Sequence, residues 1–425
     1  MTAQEITGRS RPWTHRGVPP LVGSVTISSV GTEISGVALP LIAITVLQAS
    51  DTWVAALEAA AYVCMLLFTL PIGLLADRLD RKRVLVSADL VCAATITAVP
   101  VLWALDLLNL GVVLAVAAVL GFFTTLHAVC AETIMPDVVP DGVLDSANGL
   151  LNTARSVSSV GGPGLGGLIV SALNVFAGLL VDAVSFLVSA VLLARVPVRP
   201  RAPVARERRG PRGIARDLAA GFTAVRSDER LLRLLATSTT SNLFATMAGT
   251  VEVLFLVREL RVAPWGVGAA YSVTAVGGVV GGLVFGRLRR RFGPVRVIVV
   301  SQLLLSAPVL LLPLATPGAG VAFYLVGWFW YALSSVVYAT AVVTYRQRTV
   351  PRELLGRVGA VGRWFTGIAA TAGAAGAAVL VGVWDVRTAV LVSSAGVYAS
   401  GAWLLAGVFL SRADEHAPVD GGRAP

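Results

Sequence analysis

Lysine is almost missing from this 425-residue chain, since Lys82 is the single copy and arginine supplies the rest of the 34 basic residues. Charge of either sign is also scarce, at 14% against 56% hydrophobic residues, with a mean hydropathy of +0.79. A soluble protein carries roughly a quarter charged residues, so a set of soluble domains is excluded. Three cysteines, Cys64, Cys92 and Cys130, lie inside or at the end of apolar runs, which excludes a disulfide framework and a thiolate metal site. Three histidines, His15, His127 and His416, are too scattered to hold a metal. No Walker A sequence offers an ATP site, no clustered catalytic set marks an enzyme, and nothing calls for a cofactor. The net charge of +10 comes with no zinc spacing and no RNA-binding aromatic motif, so nucleic acid is not expected as a partner. Arginine in place of lysine points to a GC-rich bacterial genome.

What remains is apolar runs. Many reach about 18 residues, enough at about 1.5 Å per residue to cross a hydrocarbon layer of about 30 Å. The start, MTAQEITGRSRPWTHRGVPP, has no short apolar region with a cleavage site, so the first run is expected to stay as a membrane helix. Six runs fall at about 20–47, 53–75, 84–104, 109–130, 149–171 and 173–194. Six more fall at about 231–256, 266–286, 294–314, 318–341, 360–383 and 388–411. The expected fold is therefore all-α and polytopic, with twelve transmembrane helices in two six-helix bundles.

Alternate loops collect the arginines. Arg78, Arg81, Lys82 and Arg83 follow the second run, Arg287, Arg289, Arg290 and Arg291 the eighth, and Arg346, Arg348, Arg352 and Arg357 the tenth. The intervening loops are nearly free of basic residues, so the positive-inside rule places the basic set and both termini in the cytoplasm. Arg258 and Arg261, in an expected exterior loop, break the pattern. So does the fourth-to-fifth loop, which carries Glu132, Asp137, Asp141 and Asp145. Residues 195–230 hold ten arginines against four acids and too many prolines to cross a membrane. Their later part has Ile214, Leu218, Phe222 and Val225 at helical spacing, which predicts an amphipathic helix. The chain thus divides into a bundle at 1–194, a cytoplasmic linker at 195–230, a second bundle at 231–411 and a tail at 412–425.

The halves echo each other. GLLADRLDRKR from Gly73 aligns with GLVFGRLRRRF from Gly282, and PDGVLDSANG from Pro140 with PRELLGRVGA from Pro351, at offsets of 209 and 211. Repeated halves point to a pseudosymmetric transporter that rocks around a central cavity. On these motifs the sequence resembles the major facilitator superfamily, whose cytoplasmic signature G-x-L-a-D-R-x-G-R-[RK] is matched by Gly73, Leu75, Asp77, Arg78, Arg81 and Lys82. Asp80 stands where that pattern has Gly. The same departure occurs in the branch that includes macrolide-efflux and enterobactin-exporter proteins.

The resemblance implies that Gly73, Asp77, Arg78 and Arg81 form a latch, Asp77 accepting hydrogen bonds at a helix N-terminus and the arginines binding acids or helix C-terminal carbonyls. It also makes Gly162-Pro163-x-x-Gly166-Gly167 look like the family's export signature, with Ser158 at the position of an upstream glycine. Read from the residues alone, Gly162, Gly166 and Gly167 permit close backbone approach and Pro163 removes one helical bond.

Ionisable groups inside hydrocarbon are costly and need a partner, water or a function. Glu33, within SSVGTEISGVALP, is the first candidate for proton coupling; Asp182, Glu252 and Arg155 follow, and Glu58 and His127 come last. Trp328, Trp330, Tyr331 and Tyr338 are candidates for an aromatic substrate cavity, with core packing as the alternative. The expected function is secondary active efflux, proton-coupled antiport of a small amphipathic drug, macrolide or secondary metabolite. Siderophore or metabolite export, solute uptake and a non-transporting membrane scaffold are the alternatives. Expected partners are the lipid bilayer, the substrate and protons, for a monomer in the bacterial inner membrane.

Overall fold

The computed structural model describes residue 13 and residues 15–57, 59–60, 63, 80–198, 211–293 and 295–405. Among these residues every regular element is a helix. The first half holds α1 (Val18–Leu41), α2 (Arg81–Ala104), α3 (Leu110–Val138), α4 (Asp141–Ala172) and α5 (Val175–Ala194). The linker contributes α6 (Pro211–Ser227). The second half holds α7 (Glu229–Thr250), α8 (Pro264–Phe292), α9 (Arg296–Val300), α10 (Val321–Thr349), α11 (Arg352–Val383) and α12 (Val386–Ala399). Wide i→i+5 turns extend α1 through Val46 and α9 through Leu305, and tight 3₁₀ turns follow at Ala307–Leu314 and Ser400–Leu404.

Eight helices among the described residues are long and apolar enough to cross a membrane, nine if α7 and the Glu252–Glu259 helix, bent by 43° at their junction, form one span. The sequence predicts twelve; the second, fifth and twelfth runs are not among these nine. Most of the second run lies outside the described residues. The fifth loses its polar first half, leaving Val157–Ala172 as its apolar part. The twelfth is α-helical for 14 residues and then tightens to 3₁₀.

Helix starts follow from their caps. Asn109, Asn174, Asp228 and Asp385 each accept a hydrogen bond from a backbone N–H of the following turn. The same holds for Asp80, whose carboxylate accepts from Lys82 N and Arg83 N at 3.1 and 3.2 Å. The acid that departs from the glycine of the signature is therefore the N-cap of α2.

The repeat is written into the helix bounds. Asp141–Ala172 and Arg352–Val383 are both 32 residues long, Leu110–Val138 and Val321–Thr349 both 29, each pair at the offset that relates Pro140 to Pro351. The starts of α1 and α7, and of α5 and α12, keep that offset. Both α1 and the Glu252–Glu259 helix after α7 end in a wide turn, with a left-handed residue shortly beyond, Gln48 (φ 50°) and Arg261 (φ 54°).

In the first half α1 packs between α4 and α5; in the second α7 packs between α11 and α12. A single apolar cluster joins both halves at one end, where Val37, Ile42 and Leu57 meet Phe255, Val267 and Tyr324. At the other end the buried residues form separate clusters, Leu21 and Met135 in the first half, Ile298 and Val337 in the second. The shared end carries the loops expected to face outside. Exposed tryptophans mark helix ends on both sides, with Trp53, Trp103, Trp265 and Trp384 at this end and Trp13 and Trp403 at the other, the distribution of an interfacial aromatic belt. Helix α6 lies on α11, where Gly221 approaches the Arg357 carbonyl and Phe222 stacks on Phe365 at 5.9 Å.

Candidate functional site

Glycine and small polar residues keep the middle of α1 from filling with apolar side chains, and a cavity of about 160 Å³ opens there. Ser28, Thr32 and Glu33 line it from α1, Thr124 and His127 from α3, and Arg155 from α4. At about 30 Å³ per water the cavity holds roughly five waters. Drug-sized ligand sites start at roughly 300 Å³. The space therefore suits water and a proton or small ion. Two of the four sequence-named coupling candidates, Glu33 and Arg155, share it, and His127 joins them.

Asp89 of α2, not singled out by the sequence reading, stands behind this wall. It is 1% exposed, and its Oδ1 lies 3.4 Å from His127 Nε2. Its signal was the one that marked Glu33, an acid in the middle of an apolar run, VLVSADLVCAA.

Asp182 has a different setting. Its carboxylate accepts hydrogen bonds from Ser35 Oγ at 2.5 Å and Ser185 Oγ at 3.1 Å, tying α5 to α1. Gly31 makes the approach possible, because a Cβ there would fall 2.3 Å from Asp182 Oδ1. Glu252 accepts from Tyr324 Oη in the second half. Tyr324, Trp328, Tyr331 and Tyr338 form one stripe of α10, in which Trp328 meets Tyr331 edge-on at 5.3 Å. Trp330 leaves the stripe and packs edge-on against Phe329. Trp328 and Tyr338 are buried, and Tyr338 Oη contacts Ser238 Oγ at 3.1 Å and donates to the Leu234 carbonyl.

The glycines of α4 face two ways. Gly162 and Gly166 meet α1, where added Cβ atoms would lie 2.5 Å from Glu33 Cβ and 3.0 Å from Ile34 Cα. Gly167 and Pro163 meet α8 in the other half, a Cβ on Gly167 falling 2.5 Å from Gly268 Cα. A side chain at either place would push backbone away from backbone. Ser158, at the position of the signature's upstream glycine, is fully buried and donates to the Thr26 carbonyl of α1 at 3.2 Å. The halves are also pinned by Arg258, which pairs with Asp51 and bonds the Ala49 carbonyl. This exception to the charge pattern is thus answered by an acid of the opposite half.

Of the latch, Gly73, Asp77 and Arg78 lie outside the described residues. Arg81 is described and pairs with Asp137 of α3 at 2.7 Å, so an acid of the anomalous fourth-to-fifth loop has a cation from elsewhere. Lys82 Nζ donates to the Val196 carbonyl just past α5 at 2.8 Å.

Comparison with known proteins places these features. The MFS-type transporter YfiS of Bacillus subtilis is 26% identical over 395 residues, 89% of each chain. Macrolide efflux protein A of Streptococcus pyogenes is 22% identical over 290 residues, 68% of this chain and 70% of that one. Among solved structures, a bacterial homologue of the iron transporter ferroportin in its inward-facing state superposes with a TM-score of 0.71 at 18% identity, covering 93% of this chain and 99% of that one. The description of the Major Facilitator Superfamily matches residues 21–374. With most of its length matched, two repeated helical halves and a polar cavity inside one of them, the chain belongs to the Major Facilitator Superfamily and is a membrane transporter of small solutes, not an enzyme.

Proposed function

We propose that this transporter is a proton-coupled exporter of small amphipathic compounds, such as macrolides, other drugs or secondary metabolites, working as an antiporter monomer in the bacterial inner membrane with both termini in the cytoplasm. The observation that carries the reading is the cavity of about 160 Å³ lined by Glu33, His127 and Arg155, a carboxyl inside a membrane helix with room for the water that would exchange its proton. The glycine face of α4, closed on both α1 and α8, supports export through its likeness to the family's export signature. The name of the macrolide efflux relative supports the substrate class.

In vesicles holding the purified protein, an imposed pH gradient should drive uphill movement of a labelled macrolide with matching proton flux. Glu33→Gln keeps size and hydrogen bonding, so macrolide binding should persist while uphill movement disappears. A Gln variant that still concentrates the macrolide with unchanged proton flux overturns the role of Glu33. A panel in a pump-deficient host, with and without a protonophore, that shows protection only against loss of a siderophore would move the substrate to that class.

A further inference from the structure

We infer that Asp89 and His127 form a second proton-holding station, placed one side chain behind the Glu33 cavity and connected to it through the imidazole. His127 lines the cavity and Asp89 does not, so the ring stands between water and the buried carboxyl. Among the described residues the carboxylate oxygens of Asp89 and His127 Nε2 meet no hydrogen-bond geometry, although Asp89 and His127 face each other at 3.4 Å and the Ser189 hydroxyl, itself unmatched, stands beside Asp89. Buried polar groups are otherwise hydrogen-bonded, and an uncompensated buried charge is among the costliest things a fold can hold. One proton shared between the two groups removes both defects.

The surroundings bear on that proton from every side. Glu33 of α1 and Arg155 of α4 share the cavity with His127; Asp182 and Ser189 of α5 and Cys92 of α2 lie close to Asp89. Like charges side by side, two carboxylates or a guanidinium with an imidazolium, disfavour each other, so protons reaching this cluster are distributed over the group and not fixed on one residue. The second half supplies a control. Tyr338 stands at the position equivalent to His127, with its hydroxyl satisfied by Ser238 and the Leu234 carbonyl. Packing at that position of the fold therefore needs no group that changes charge near neutral pH.

The step is a plain proton transfer. The O–H bond of the Asp89 acid breaks, its electron pair stays on the carboxylate, and the Nε2 lone pair takes the proton to give an imidazolium. The imidazolium then releases the proton on its other ring nitrogen to cavity water, and the reverse path resets the pair. Nothing is oxidised or reduced. The part this station plays in transport rests on the proposed proton-coupled export; the shared proton itself does not.

The test uses the full chain in lipid nanodiscs. Infrared difference spectra report the carboxylic-acid bands as pH is stepped, and nitrogen-labelled histidine spectra report three residues, of which His127 is assigned by its loss in His127→Gln. Asp89→Asn should delete one titrating carboxyl band, and His127→Gln should move the midpoint of that band by about one pH unit or more. The ring resonances of His127 should shift in Asp89→Asn by a comparable margin. If Asp89→Asn deletes no band, or if the band titrates unchanged in His127→Gln, the station does not exist. His127→Gln, the milder change, preserves the test should Asp89→Asn fail to fold. Vesicle assays separate the two readings: a coupled pair in a protein without proton flux overturns proton-coupled export and leaves the station standing. Normal macrolide-coupled proton flux in Asp89→Asn removes the station from the transport path.

Discussion

Four helix starts repeat between the two halves, and what those helices carry differs. At the constant offset between them, Glu33, His127, Arg155 and Asp182 of the first half correspond to Phe244, Tyr338, Thr366 and Ser393 of the second. Each of these four ionisable groups is thus replaced by a residue that is neutral at physiological pH. Phe244 presses on Gly396 of α12, Tyr338 bonds to α7, and Ser393 bonds only to the Val390 carbonyl one turn back in its own helix. Among the described residues the second half has one buried acid, Glu252, with a tyrosine hydroxyl donating to it. The repeated helix starts therefore do not require charge at these four positions. The first half carries two buried acids, Asp89 and Asp182, besides the cavity-lining Glu33, where the second half carries Glu252 among the described residues, and buried acids of this kind are costly without a partner.

The largest effect should come where the halves meet. In Gly167→Leu the new side chain has no room against Gly268, and overpacking of about 1–3 kcal/mol would shift the balance between closed and open exterior about 5- to 150-fold. Distance measurements between spin labels on α4 and α8 should show the helices parted at this end. An unchanged distance distribution would mean that the glycine contact does not hold the halves together.

Next in size is the contrast between Asp182 and Ser393. Asp182→Ser leaves the Ser35 hydroxyl without its buried acceptor, which should cost about 1–3 kcal/mol of stability. Ser393→Ala removes only a bond within its own helix turn and should cost less than about 0.5–1.5 kcal/mol, the net value of a typical hydrogen bond. Thermal unfolding of both variants in the same detergent checks the order; equal losses would dissolve the difference between the halves.

Arg258→Gln comes third. The pair with Asp51 is about one-third exposed on both sides, so its contribution is screened to about 1 kcal/mol or less. The expected outcome is nearly unchanged melting, with a severalfold rise in labelling of a cysteine placed at Thr52 by an impermeant reagent. Unaltered labelling would show that the pair does not hold that end shut.

The smallest effect concerns Asp385, the cap of α12. The Thr388 backbone N–H, then its hydroxyl, hold this carboxyl below the usual carboxylate range, with a further contribution from Arg387. A depressed folded-state value means that the stabilisation is fully present above the unfolded value of about 3.9 and fades as pH falls through the lower folded value. Asp385→Ala should therefore melt slightly below the parent at neutral pH, with the gap closing in acid. A gap independent of pH would assign the cap to geometry alone.

The all-α polytopic character and the repeat were legible in the chain, because hydrocarbon thickness fixes the length of an apolar run. The bounds of α4 and α11 repeat the register first seen in Pro140 and Pro351. Glu33 was legible too, as an acid where none is free of cost. Partnership was not legible. That Asp80 caps α2, that Arg258 answers Asp51, that Asp182 is occupied by Ser35 while Asp89 faces His127, and that Gly162 and Gly167 look toward different helices are facts of how helices rotate about their axes and which neighbours they meet. A sequence states the cost of a buried charge locally; only the assembled bundle, where residues more than a hundred positions apart come within hydrogen-bonding reach, decides whether that cost is offset by a partner or left for a proton to resolve.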